Sequence, residues 1–147
     1  MKVSDVMTEA VVSELAEDTL ADAASKMREQ QTGSILIMDG DRLMGIFTER
    51  DLLKAVAQGK DPKLTQVKEE MTTEVVTIEP DADLQRAAEL MGSRWIRHLP
   101  VISEGNVVGV LSQRDLAGVF AQAFAEQPTG ELVRARRLRR IEAGDLD

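Results

Sequence analysis

The residues best placed to do chemistry occur as a pair of matching clusters. Thr48-Glu49-Arg50-Asp51 follows Gly45-Ile46-Phe47, and Ser112-Gln113-Arg114-Asp115 follows Gly109-Val110-Leu111. Each is a glycine, a short apolar strand end, a hydroxyl, then Arg-Asp opening a helix. The three-residue spacing sets a hydroxyl and a carboxylate side by side at a helix N-terminus. In form these are also capping boxes, with Asp standing in for Glu, so a purely local role accounts for each taken alone. Two of them in one chain point to paired binding pockets.

The elements that must position these clusters are duplicated as well. Sliding the chain by 64 residues superposes Val3–Gln58 on Val67–Gln122 without a gap, matching Met7 to Met71, Thr8 to Thr72, Val12 to Val76, Gly45 to Gly109 and Asp51 to Asp115. Gapless register means that both copies keep every loop length and share one fold. The period is too long for a solenoid, and two copies make a pseudo-twofold pair. Each copy reads as a short helical turn, a strand, a helix, a strand, a strand and a helix. The first strand is placed at Val11-Val12. Thr19 with Asp22 caps a helix whose apolar stripe is Leu20, Ala23, Ala24 and Met27, repeated as Leu84, Ala87, Ala88 and Met91. Asp39-Gly40-Asp41 turns a hairpin between strands at Ser34–Met38 and Leu43–Phe47. The helix from Glu49 is expected to bury Leu52, Leu53 and Val56, and Trp95 to pack at the end of its helix. Gly45 and Gly109 fit positions of close backbone packing. The expected units are residues 1–62, residues 63–126 and an Arg-rich tail over 127–147, which either docks on a partner subunit or stays disordered.

Composition narrows the function classes. The chain has 147 residues, net charge -8, no cysteine and one histidine. Thiol chemistry and disulfides are excluded, and a zinc site would need three carboxylates at once. The negative charge opposes nonspecific attraction to nucleic acid or anionic membranes. No apolar run approaches a membrane span of roughly 18 residues. The N-terminus lacks the apolar core of a signal peptide, so a cytoplasmic protein is expected.

Doubled in this order, the chain resembles the cystathionine-β-synthase (CBS) domain pair, or Bateman module, of the stand-alone bacterial type. The resemblance covers about residues 1–125. It rests on Asp5-Val6-Met7-Thr8, Gly33-Ser34-Ile35-Leu36-Ile37, Arg97-His98-Leu99-Pro100-Val101-Ile102 and both Arg-Asp helix starts. It implies an α/β (α+β) fold: two small, mainly antiparallel three-stranded sheets with helices, packed as a pseudo-twofold pair and often dimerised. It also implies two clefts for adenosine ligands (AMP first, then ADP, ATP, S-adenosylmethionine or NAD), bound as regulatory ligands rather than required cofactors.

By that resemblance, Asp51 and Asp115 take the ribose position. One ionised carboxylate can accept from both hydroxyls of a cis-diol, and such charge-assisted bonds contribute roughly 1.5–3 kcal/mol each. Thr48 and Ser112 take the neighbouring hydroxyl position. One cleft would combine Ser112 and Asp115 with Thr8, Val12, Gly33 and Ser34. The other would combine Thr48 and Asp51 with Thr72, Val76, Arg97 and His98. Arg50 and Arg114 could turn toward phosphates, where a planar fork suits the oxygens. The first copy has Gln30, Gly33 and Ser34 where the second has Arg94, Arg97 and His98, so the two sites should be unequal. The sequence leaves open which cleft Arg97 and His98 enter, and His98 equally fits a hydrogen-bonded histidine at the core edge.

The implied function is a non-catalytic, homodimeric adenine-nucleotide sensor acting on an unidentified regulated protein. The alternative is a dimeric scaffold with empty clefts. Nucleic-acid binding through Arg134–Arg140 lacks an aromatic stacking platform. An enzyme is the least supported reading, because no nucleophile–base pair is present.

Overall fold

The computed structural model describes residues 1–125; the tail expected over 127–147 lies outside the described residues. A 3-10 turn at Val3–Asp5 precedes β1 (Ser13–Glu14), α1 (Leu20–Glu29), β2 (Ser34–Asp39), β3 (Arg42–Thr48) and α2 (Glu49–Ala57). A second 3-10 turn at Val67–Glu69 precedes α3 (Leu84–Arg94), β4 (His98–Ser103), β5 (Asn106–Ser112) and α4 (Gln113–Ala125). The architecture is the expected mixture of helices with small sheets.

The first sheet runs β1-β2-β3, with β1 parallel to β2 and β2 antiparallel to β3. Its short first strand lies at Ser13–Glu14, two residues beyond Val11-Val12. Val12 instead packs against the first core while its carbonyl accepts from Leu36 N–H. The second sheet is a two-stranded hairpin, β4-β5, and not three-stranded. The counterpart of β1 is reduced to a single parallel bridge between Ile78 and Val101. Pro80 follows two residues on and cannot donate to a ladder.

Helical periodicity translates directly into burial on α1 and α3. Leu20, Ala23 and Met27 are buried, as are Leu84, Ala87 and Met91. The Thr19–Asp22 capping box closes the start of α1 in both directions. Helix α2 departs from its expected face. Leu53 is 71% and Val56 51% exposed, whereas Ala55 is fully buried. Leu52 packs against the first core as expected, and Ala55 joins it there while Leu53 and Val56 face solvent.

The two repeats exchange their first turns. Val3 is buried in the core built from Ile78, Leu84, Ala87, Met91, Leu99, Val101, Leu111 and Leu116. Val67 is buried in the other, with Leu20, Ala23, Met27, Ile35, Ile37, Phe47 and Ala55. Backbone bonds repeat the exchange: Val3 N–H donates to Ala82 O and Val67 N–H to Asp18 O. Beyond each turn the chain crosses the opposite hairpin. Thr8 and Val110 exchange both backbone hydrogen bonds at 2.9 Å, and so do Thr72 and Ile46. These crossings explain the two matched glycines. A Cβ on Gly109 would stand 2.8 Å from Met7 Sδ and 2.9 Å from Thr8 O; on Gly45 it would stand 2.8 Å from both Met71 Sδ and Thr72 O. A backbone oxygen at that distance leaves no room for any side chain.

Candidate functional site: two unequal clefts

Both Asp clusters form as capping boxes. Thr48 N–H donates to Asp51 Oδ2 at 2.9 Å, the Thr48 hydroxyl donates to the same oxygen at 3.1 Å, and Asp51 N–H donates back to Thr48 Oγ1 at 3.3 Å. Ser112 N–H donates to Asp115 Oδ2 at 2.8 Å, and Asp115 N–H to Ser112 Oγ at 3.1 Å. Capping fixes each carboxylate rotamer and engages one oxygen of the two. A ligand role needs the other, so cap and ligand site are compatible.

The environments of the two carboxylates differ. Burial raises the pKa of Asp51 above the ordinary aspartate value, against the lowering effect of its bonds from Thr48. Nearby Glu70 adds to the rise, and Glu70 is itself paired with Lys60. Glu70 stands where the first repeat has Val6, so this acidic neighbour belongs to one cluster alone.

Asp115 opens onto a cleft of about 1010 Å³. Its walls bring together Thr8, Val12, Gly33, Ser34, Ser112 and Asp115, the set expected for one site, and Arg114 joins them. Arg97 and His98 line this same cleft. Their placement follows from strand register. His98 pairs with Ser112 across β4-β5, and Gln113 N–H donates to Arg97 O, so both residues flank the Ser112–Asp115 cluster. His98 is held below the usual histidine range, first by burial and then by the adjacent Arg97 charge, with Glu49 and Asp115 opposing.

Of the second expected set, Thr72 is held beside Ile46, close to the Thr48–Asp51 cluster, while Arg97 and His98 line the large cleft. A cavity of about 380 Å³ is lined by Arg50, Leu53, Trp95 and Arg97 with Glu49 and Gln113, but not by Thr48, Asp51, Thr72 or Val76. Its position is the pseudo-twofold counterpart of part of the large cleft. Bulkier residues stand at the corresponding places: Trp95 for Gln31, Arg97 for Gly33, Leu53 for Ala117. Trp95 caps α3 in the left-handed region, at φ 56, and is 43% exposed.

Several lining residues of the large cleft escape a reading of motifs. Lys26 reaches its wall, donating to Ser13 O at 2.6 Å and pairing with Glu14 at 2.9 Å. Glu49 and Gln113 line both cavities. The mismatch of acid and amide at equivalent places in the two copies was the available signal for that pair. Among the described residues no cluster of three or more His, Asp or Glu side chains could hold a metal ion. No helix among them is long and apolar enough to cross a membrane.

Comparison with known proteins agrees with this geometry. The CBS domain model matches residues 3–58 and again 66–122. The CBS domain-containing protein YhcV of Bacillus subtilis is 38% identical over 116 residues, covering 78% of this chain and 82% of that protein. The CBS domain pair of MJ0100, solved with 5-methylthioadenosine and S-adenosyl-L-methionine, superposes with a TM-score of 0.78 at 26% identity, over 84% of this chain and 98% of that one. PAE2072 from Pyrobaculum aerophilum, solved with AMP, superposes with a TM-score of 0.74 at 28% identity, over 79% and 90% of the two chains. The duplicated fold, the paired capping clusters and the matched model lead to one assignment: the chain belongs to the CBS domain family.

Proposed function

We propose that this protein is a non-catalytic regulatory module that binds an adenosine ligand in the large cleft, with AMP the first choice among AMP, ADP, ATP, S-adenosylmethionine and NAD. The observation that carries this reading is the convergence, on one cavity of about 1010 Å³, of the Ser112–Asp115 cluster with Arg97, His98 and Arg114. That arrangement offers a carboxylate for a cis-diol and guanidinium groups for a phosphate. Two relatives of the same fold hold adenosine compounds. Ser112 and Asp115 take the ribose, Thr8, Val12, Gly33 and Ser34 the base, and Arg97, His98 and Arg114 the phosphate. Thr48, Asp51, Thr72, Val76 and Arg50 form a weaker or silent second site. Signalling requires a ligand that prefers one arrangement of the repeats, with a partner protein reading the shifted population. The assembly is a cytoplasmic homodimer.

Isothermal titration calorimetry of ligand-free protein against the five compounds tests this. Saturable binding by one of them, weakened roughly ten- to a hundredfold by Asp115→Ala, equivalent to about 1.4–2.8 kcal/mol, is the expected result. No heat from any compound up to millimolar concentration overturns it.

A further inference from the structure

Two of the places where the repeats differ in charge meet in space. Where the second copy has Gln113, the first has Glu49; where the first has Gly33 and Ser34, the second has Arg97 and His98. Glu49 opens α2 and donates its N–H to Gly33 O, as Gln113 opens α4 and donates to Arg97 O. The Glu49 carboxylate lies 3.9 Å from the Arg97 guanidinium. A Cβ built on Gly33 would stand 3.4 Å from both Glu49 Cδ and His98 Cε1. Glu49 and His98 thus both approach Gly33 in the wall of the large cleft.

The order of groups along the cleft follows from the backbone. Asp115 is bonded to Ser112, Ser112 is paired with His98, Arg97 precedes His98, and Glu49 faces Arg97. A substituent leaving a ribose at Asp115 toward Arg97 therefore comes to a guanidinium with the Glu49 carboxylate 3.9 Å from it. Space does not stop it there. Glu49, Arg97 and Gln113 line both the large cleft and the neighbouring cavity of about 380 Å³. Discrimination by length must then be electrostatic rather than steric.

We infer that Glu49 is a charge-selecting residue of the large cleft, disfavouring each phosphate beyond the first and tuning the site to a nucleoside carrying a single phosphate. This rests on the nucleotide reading of the same cleft. Glu49 acts in two ways. It repels an extended phosphate chain directly, and it partly neutralises Arg97, the cation such a chain would seek. Both side chains are at least half exposed, so water and salt temper the interaction.

The test compares wild type with Glu49→Gln, a nearly isosteric neutral form, titrated with adenosine, AMP and magnesium-free ATP at low and high ionic strength. Wild type is expected to bind AMP more tightly than ATP. In the variant, adenosine affinity is unchanged and ATP gains most, narrowing the AMP-to-ATP ratio roughly three- to tenfold at low salt and less at high salt. A ratio that Glu49→Gln leaves unchanged, a wild type that prefers ATP, or equal weakening of adenosine and AMP overturns the inference while leaving the nucleotide site standing. A wild type that binds none of the three overturns both.

Discussion

The two clefts are built from the same sequence pattern and have diverged in opposite directions. The cleft at Asp115 is lined by the small residues Gly33 and Ser34 and by the donors Arg97 and His98, while Arg114, the match of Arg50, is common to both repeats. The smaller cavity has bulkier walls, and Asp51 itself has an acidic neighbour. Trp95, Leu53 and Arg97 line what remains of the cavity, and Glu70 adds a negative charge near the carboxylate. The caps survive in both copies because helices α2 and α4 need them whatever else happens. A shared cap thus does not carry the same surroundings with it.

The largest expected effect breaks the frame that both clefts share. Gly109→Ala and Gly45→Ala each force a methyl against a backbone oxygen, costing about 1–3 kcal/mol of stability, read by thermal unfolding. If the clefts differ as described, only Gly109→Ala also weakens ligand binding, because it displaces Thr8 from the wall of the large cleft. The second effect separates the carboxylates. Asp115→Ala should lose about ten- to a hundredfold in ligand affinity by calorimetry, while Asp51→Ala changes it less than about threefold.

A smaller effect concerns Asp51 without ligand. Its folded pKa is raised above the unfolded value of 3.8. The stabilisation from its protonated form is complete below the unfolded value and is lost as pH rises through the folded value. Asp51→Asn, which can still accept from Thr48 N–H, should therefore gain in melting temperature relative to wild type as pH rises from 3.5 to 7. The smallest effect is that of His98. Its folded pKa lies below 6.5, so below that pH the unfolded chain takes up a proton that the folded protein resists. Stability should decline as pH falls from 6.5 toward the folded value, and His98→Asn should remove that part of the slope in urea unfolding.

Much of this was legible in the chain because periodicity and register are local. The α1 and α3 stripes and the hairpin at Gly40 follow from spacing and repetition, whereas the grouping of residues at the large cleft follows from the family resemblance. What was not legible depends on contacts far apart in sequence. The face of α2 was misplaced because Ala55, small and unremarkable in a pattern, packs inward while Leu53 does not. The third strand of the second sheet was expected from symmetry, but the sheet there is reduced to the Ile78 bridge. The cleft chosen by Arg97 and His98 depends on the β4-β5 register with Ser112, which no pattern within the first repeat reveals. The approach of Glu49 to Arg97 likewise joins residues of different repeats, far apart in sequence.

The exchanged first turns have a consequence for how the molecule can be taken apart. A fragment holding one repeat would carry a turn with no core to enter and a core with no turn to receive. Val3 and Val67, both fully buried, are the plugs. Two copies of such a fragment can satisfy each other by reciprocal insertion, so a single repeat is a dimer waiting for its mate, and the covalent link between the repeats fixes which mate it finds. Cutting the chain between Gly59 and Gln66 should accordingly leave two pieces that remain associated under native conditions and separate only on unfolding.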